Sequence, residues 1–192
     1  LSQLRRHWPR LGLGADLLVG NRLKSLIPDL LERRLRGEPV SVVHRQDLSR
    51  CDCWDPLVLG RRTRHTRAFV KVQDGCSHRC RYCIVPTVRG RSVSRPAEEV
   101  LGEVRRLTEQ GCREVVLTGV HLGLYGRDRD TDLGDLVAAL ARVEGLKRLR
   151  FGSLEPFGLE ETLLDRLADT GIFCPHLHLP LQSGDEGVLD RM

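Results

Sequence analysis

AFVKVQDGCSHRCRYCIVPTVRGR, residues 68–91, is the stretch on which the reading of the whole chain turns. An apolar alternation over Ala68–Val72 has the period of a strand, and it runs straight into a loop carrying Cys76, Cys80 and Cys83. Their spacing is C-x3-C-x2-C, with Tyr82 just before the last cysteine. Three thiols within so short a loop can converge on one inorganic site while little else of the chain is ordered around them. Three cysteines on a cubane 4Fe–4S cluster leave one iron open to a small molecule. The alternative is a zinc knot, for which His78 or Cys112 would be the fourth ligand. Zinc sites usually show two paired half-sites, and the pattern here favours the cluster.

Seven cysteines is an odd number, and no secretory signal precedes them. Their clustering argues for metal or redox chemistry in a reducing compartment rather than a disulfide framework, so a cytoplasmic location is expected. No apolar run approaches the roughly eighteen residues of a membrane span, and no membrane partner is expected. Lys and Arg number 31 against 26 Asp and Glu, a net charge of +5 that suits a phosphate-rich partner without requiring one. The chain starts at Leu1 and stops at Met192 inside an apparent helix, and it reads as a piece of a longer protein.

Taken in order, Asp16–Asn21 reads as a short strand, and Leu23, Leu26, Ile27, Leu30, Leu31 and Leu35 follow on one helical face until Gly37 and Pro39. One strand and one helix cannot make a domain, so residues 1–37 are expected to be the tail of an upstream α/β domain. Residues 38–67 are polar and arginine-rich and read as a linker. Cys51 and Cys53 lie in it and are read as non-ligands; Cys112 and Cys174 receive no role. From 68 to 192, strand candidates at 68–72, 114–118, 148–152 and 176–179 alternate with helix candidates at about 96–110, 133–143 and 160–170 and a helix opening near 185. That alternation implies parallel strands joined by crossovers: a truncated, TIM-like partial barrel whose chemistry belongs at the carboxyl ends of its strands. The residues that follow the strands are the unusual ones: the cysteine loop, then Thr118 and Gly119, then Glu155, then His176, His178, Gln182 and Ser183.

Cys76, Cys80, Tyr82 and Cys83 resemble the C-x3-C-aromatic-C signature of radical S-adenosylmethionine (radical SAM) enzymes. The resemblance implies an open (β/α)6 partial barrel, a 4Fe–4S cluster on Cys76, Cys80 and Cys83, and S-adenosylmethionine cleaved by one electron to a 5′-deoxyadenosyl radical. It also implies cofactor contacts from Tyr82, Thr118, Gly119, Glu155, Gln182 and Ser183. Further stretches narrow the likeness: Lys71–Cys76, Cys83–Pro86, Arg89–Ser92, Ser94–Pro96, Gly119–Gly126 and Leu179–Gly184 look like methylthiotransferases. That family carries a second 4Fe–4S cluster in an amino-terminal domain, and none of the present cysteines matches its ligands.

Within the family, Leu117-Thr118-Gly119-Val120-His121-Leu122-Gly123-Leu124-Tyr125-Gly126 is most similar to the tRNA enzymes acting on N6-threonylcarbamoyladenosine. The implied reaction is 2-methylthiolation of that nucleoside at position 37 of tRNA. The alternatives are the isopentenyladenosine tRNA branch, the branch acting on a ribosomal-protein aspartate and, in another class, a zinc-binding nucleic-acid module. The implied partners are tRNA and a reductant protein such as flavodoxin or ferredoxin, with the enzyme a monomer. Arg89 and Arg91, in the basic run beside the cysteines, are expected to meet tRNA phosphates. After anaerobic iron–sulfide reconstitution, alanine at Cys76, Cys80 or Cys83 is expected to abolish the broad visible absorbance of a cluster, and alanine at Cys51, Cys53 or Cys112 to leave it. Full absorbance in Cys80→Ala would refute the ligand assignment.

Overall fold

The computed structural model describes residues 15–44, 46–48, 51, 53–56, 66–156 and 159–192. Much of the 38–67 stretch, and residues 1–14 of the upstream unit, therefore lie outside the described residues. The chain opens with β1 (Leu18–Val19), a single 3-10 turn over Lys24–Leu26, α1 (Ile27–Leu35) and β2 (Val43–His44). β2 lies in the stretch read as linker and pairs in parallel with β1, Leu18 opposite Val43 and Val19 opposite His44, so the two strands and α1 make a small β-α-β unit. Pro28 suits the first turn of α1, where its missing N–H removes no bond. Of the apolar face read from the sequence only Leu30 is buried, while Leu26, Leu31 and Leu35 are exposed.

The larger unit begins with β3 (Arg67–Lys71), β4 (Gln73–Asp74), α2 (Val85–Arg89) and β5 (Val93–Ser94). It continues through α3 (Ala97–Glu109), β6 (Glu114–Thr118), α4 (Leu133–Leu140), β7 (Arg148–Phe151), α5 (Glu161–Asp169) and α6 (Glu186–Arg191). β3, β6 and β7 form one parallel sheet in sequence order, with Arg67 to Lys71 opposite Glu114 to Thr118 and Glu114 to Leu117 opposite Arg148 to Phe151. This is the strand–helix repeat expected of a partial TIM-like barrel. The period-2 alternation assigns the faces. Val70, Val115, Leu117, Leu149 and Phe151 point into a core shared with Val100, Val104 and Leu107 of α3 and Leu133, Leu136, Val137 and Leu140 of α4. Burying each such side chain stabilises the fold by about 1.5–3 kcal/mol. The other face is mixed, with Phe69 and Val116 among charged residues, and Glu114 holds Arg150 at 2.8 Å and Arg67 at 3.8 Å across it.

The fourth strand differs from expectation. Residues 176–179 form no ladder; the chain there touches β7 and its extension through two isolated parallel bridges, Leu149 to Phe173 and Ser153 to His178. Cys174 donates to Leu149 and Leu154 donates to His178, but the His176 amide, next in line to face β7, turns back to the Cys174 carbonyl at 2.6 Å and the ladder does not continue. The cysteine loop also holds structure that periodicity could not reveal: β4 and β5 pair antiparallel, Gln73 with Ser94 and Asp74 with Val93, and α2 forms a short helix between them.

Helix ends follow local chemistry. Pro96 precedes α3, Glu98 and Glu99 occupy its first turn, and Gly111 adopts a φ of 83° after its end. At α4 the Asp132 carboxylate accepts from the Asp135 amide at 2.7 Å while Asp135 accepts from the Asp132 amide at 3.2 Å. Arg166 of α5 reaches across to both carboxylates, which ties the two helices together. Asp132→Ala is expected to lower stability by about 1–2 kcal/mol. Asp132→Asn, which keeps the cap oxygen, is expected to lose less, as read by equilibrium denaturation.

Candidate active site

β3 delivers the chain through Val72 into β4, and Gly75 then turns it into the cysteine loop. Gly75 has a φ of 72°, and a Cβ there would lie 2.1 Å from the Arg91 carbonyl oxygen, so only glycine fits. That closeness lets the Cys76 amide donate to the Gly90 carbonyl at 3.1 Å, and the Cys83 amide donates to the Cys80 carbonyl at 3.0 Å. Cys76, Cys80 and Cys83 are all partly exposed thiols outside any disulfide. Burial raises the Cys76 pKa, and the charges of Cys80, Cys83 and Glu155 raise it further against an opposing hydrogen bond from the His78 backbone. The three sulfurs and Glu155 thus share one electrostatic neighbourhood. Cys112 lies elsewhere, fully buried in the core with its Sγ 3.2 Å from the Glu114 carbonyl, and Cys51 is buried with its carbonyl accepting from Arg22.

The loop after β6 is brought to the cysteines by Gln73. This side chain is fully buried; its Oε1 accepts from the Val120 and His121 amides at 2.8 Å each. Its Nε2 donates to the Gly75 carbonyl at 2.8 Å and to Ser92 Oγ at 2.9 Å. Gly119 is required by the same contact, since a Cβ there would stand 2.8 Å from Gln73 Oε1. Next to it the His121 ring, 4% exposed, stacks on His78 with centroids 4.9 Å apart and planes 15° from parallel. His121 Nδ1 lies 3.2 Å from Glu155 Oε2. The approach is close but not aligned as a hydrogen bond, so this buried carboxylate oxygen is left without an aligned donor. Burial, then the charges of His78 and Arg127, lower the His121 pKa to about 4, and burial raises that of Glu155. At neutral pH the imidazole is uncharged.

The remaining expected residues surround the same mouth. Tyr82, 58% exposed, donates its hydroxyl to Gln182 Oε1 at 3.2 Å, bridging the cysteine loop to the segment before α6. Gln182 sits at a φ of 65°, a backbone conformation that favours glycine and asparagine. Ser183 Oγ accepts from the Asp185 amide at 3.1 Å, so this hydroxyl shapes the turn into α6. Thr118 ends β6, with its Oγ1 3.4 Å from the Val70 carbonyl. Ser153 Oγ and His178 Nδ1 are 3.1 Å apart, whereas His176 is exposed.

Asp74 anchors the base of the loop. It accepts from Lys71 at 2.7 Å, Asn21 at 2.8 Å, Arg89 at 2.9 Å and the Gly75 amide at 2.9 Å. Arg89, expected at a tRNA phosphate, thus directs its Nη1 to Asp74. Arg91 is exposed, and its carbonyl accepts from Arg22 at 2.6 Å. Sequence reading did not single out His121, Gln73 or Asp74 as site-forming groups, and it weighed His78 only as a zinc ligand, not as the ring that stacks on His121. The signal available for Gln73 and Asp74 was two polar residues closing an apolar strand, and for His121 its place two residues after Gly119.

A parallel α/β sheet with a thiol loop and polar side chains gathered at its carboxyl ends defines a barrel-type cofactor-binding domain. The profile of the radical SAM superfamily matches residues 70–192, and the chain belongs to that superfamily. Curated relatives include a threonylcarbamoyladenosine tRNA methylthiotransferase MtaB of Chlamydia pneumoniae, 44% identical over 127 residues, which cover 66% of this chain and 30% of that protein. A tRNA-2-methylthio-N(6)-dimethylallyladenosine synthase of Syntrophotalea carbinolica is 48% identical over 126 residues, 65% of this chain and 29% of that one. Another of the same name from Acidithiobacillus ferrooxidans is 37% identical over 197 aligned positions, 100% of this chain and 42% of that protein. The chain therefore spans less than half the length of these relatives. Among solved structures, the radical S-adenosylmethionine methyltransferase TsrM of Kitasatospora setae superposes with a TM-score of 0.52 at 20% identity, over 64% of this chain and 23% of that one, a likeness of fold.

Membership implies a 4Fe–4S cluster and S-adenosylmethionine, and the residues fit both. Cys76, Cys80 and Cys83 offer three thiols from one side, while Glu155 offers a buried acceptor and Gly119 a close backbone approach. Among the described residues no three His, Cys, Asp or Glu side chains close to the spacing of a single metal ion. A cubane asks for less convergence, because each thiolate binds its own iron.

The Asp74 anchor has a measurable consequence. Burial raises its pKa, but the hydrogen bonds and charges of Lys71 and Arg89 and the Gly75 amide outweigh this and hold it at about 2. A depressed carboxyl pKa contributes stability that is present above the ordinary value of 3.8 and is lost as pH falls through about 2. Asp74→Asn is expected to destabilise the protein by about 2 kcal/mol at neutral pH and to flatten the acid limb between about pH 4 and 2, as followed by denaturant titration at a series of pH values.

Proposed function

We propose that the protein is a tRNA-modifying methylthiotransferase that converts N6-threonylcarbamoyladenosine next to the anticodon to its 2-methylthio derivative. The observation that carries the choice of nucleoside is the polar mouth: His121, Glu155 and Gln182 adjoin residues of the cysteine loop, and Thr118, Ser153 and His178 lie at or after the ends of the neighbouring strands. A substituent with hydroxyl, carbonyl and amide groups finds hydrogen-bonding partners there, where an apolar one would leave them unpaired. The 44% identity to the C. pneumoniae enzyme supports the same reading. Dimethylallyladenosine is the second reading, favoured by the 48% identity to the S. carbinolica synthase.

The chemistry supplied here by a bound cluster and S-adenosylmethionine is one-electron cleavage of a sulfonium, giving a radical able to abstract hydrogen from an unreactive C–H bond. The chain's own part is placement. Cys76, Cys80 and Cys83 hold the cluster, Glu155 accepts hydrogen bonds from a ribose diol or ammonium group, and Thr118 and Gly119 present backbone to the ligand. Tyr82 and Gln182 bridge the cysteine loop to the segment before α6, and Ser183 shapes the turn that follows. Exposed Arg91 takes a tRNA phosphate, with Arg89 holding the loop behind it. We further propose a second 4Fe–4S cluster in an amino-terminal domain of the full-length protein, a flavodoxin or ferredoxin as reductant, a monomeric state and a cytoplasmic location. Among the described residues no helix is long and apolar enough to cross a membrane. Nucleoside analysis of tRNA from a strain lacking the full gene is expected to show loss of the 2-methylthio derivative of threonylcarbamoyladenosine. Loss of the dimethylallyl derivative alone would establish the second reading, and loss of neither would sink both.

A further inference from the structure

His121 sits at a junction of three segments. Its amide is pinned by Gln73, its ring lies flat on His78 between Cys76 and Cys80, and its Nδ1 faces Glu155 at 3.2 Å. A core histidine that served packing alone could be replaced by any flat ring. This one meets a carboxylate from the end of the neighbouring strand, at the mouth where a ligand must enter. We propose that His121 is a positioning residue, which orients the Glu155 carboxylate toward S-adenosylmethionine while its ring braces the cysteine loop through His78.

The proposal rests on the reading of Glu155 as a cofactor contact. A neutral imidazole carries one N–H, and the nitrogen facing a carboxylate is the one to hold it, so on alignment Nδ1 would donate to Oε2 and Glu155 would keep its second oxygen for the ligand. The 3.2 Å approach is not aligned as a hydrogen bond, and such contacts commonly tighten once a ligand is bound. The side chain therefore has two separable duties, an N–H for Glu155 and a flat face for His78. Phenylalanine retains the face and removes the N–H; glutamine retains an N–H donor and removes the face.

The test uses the full-length protein, reconstituted anaerobically, with S-adenosylmethionine affinity measured by equilibrium dialysis and the reduced cluster followed by electron paramagnetic resonance with and without S-adenosylmethionine. His121→Phe is expected to keep full iron content, weaken S-adenosylmethionine binding about tenfold and reduce the spectral change that the ligand causes. His121→Gln is expected to stay within about threefold of the native affinity. Glu155→Gln should weaken binding to a similar degree as His121→Phe, and the double variant no more than the weaker single one. Native affinity in His121→Phe with a weakened Glu155→Gln would overturn the positioning role and leave Glu155 in place. Additive losses, or a His121→Gln protein as weak as His121→Phe, would overturn it as well. Native affinity in both Glu155→Gln and His121→Phe would remove the reading of Glu155 itself.

Discussion

The Gln73 side chain is the interaction on which the mouth of this domain depends. A primary amide offers two N–H donors and one oxygen with two lone pairs. Here the oxygen takes the amides of Val120 and His121, and the nitrogen serves the Gly75 carbonyl and Ser92. One buried group thereby joins the end of the first barrel strand, the entry to the cysteine loop and the loop that follows the second strand. Glutamate at this position could accept but not donate, and leucine would leave two buried amides unsatisfied. Gly119 is the companion constraint, because any side chain there would collide with the amide oxygen. Order at the mouth thus comes from hydrogen bonds made by strand ends, with the apolar core beneath supplying the platform.

The charges around the loop divide in a way that composition conceals. Arg79, Arg81, Arg89, Arg91 and Arg95 look in sequence like one basic surface. In the fold, Arg95 is buried against Glu103 and Arg89 is directed to Asp74, whereas Arg79, Arg81 and Arg91 are exposed. The two engaged arginines maintain the antiparallel β4–β5 pair and the base of the loop, so their charge is neutralised locally and contributes little to a field for an approaching phosphate. Arg79, Arg81 and Arg91 are the members of this run that lie at the surface, within reach of a polyanion. Pairing of this kind depends on contacts between residues such as Arg95 and Glu103 or Arg89 and Asp74, which only the folded chain brings into line.

That distinction also explains which features were legible in advance. The strands ending at Lys71, Thr118 and Phe151 and the helices from Ala97, Leu133 and Glu161 follow from local periodicity, caps and glycine stops, and they were readable to within one to three residues. The three cysteines were readable because their spacing is itself short-range. The fourth strand was overread: the alternation of His176, Leu177, His178 and Leu179 is real, but the His176 amide bonds back to Cys174 and only isolated bridges to β7 and its extension form. His121 and Gln73 escaped because their roles lie in partners distant in sequence, separated by 48 residues for their mutual contact. Glu155 was chosen for its place after a strand, and the structure adds the imidazole beside it.

The amino-terminal unit carries this dependence one step further. Arg22, 6% exposed, donates to the carbonyls of Cys51, Arg89 and Arg91, and Asn21 reaches Asp74. A buried guanidinium is costly unless its donors are met, and here carbonyls from the linker and from both ends of the turn after α2 take its two terminal nitrogens, while Nε is left without an aligned acceptor. Because two of those carbonyls belong to the segment whose Gly90 and Arg91 oxygens crowd Gly75, the same turn is held from outside by Arg22 and from inside by the cysteine loop. Displacing the amino-terminal unit would leave Arg22 and those carbonyls in search of water and would relax the turn against which Cys76 is hydrogen-bonded. The loop geometry is therefore a property of both units together, so an upstream domain would bear on the cysteines through this contact as well as through any cofactor of its own.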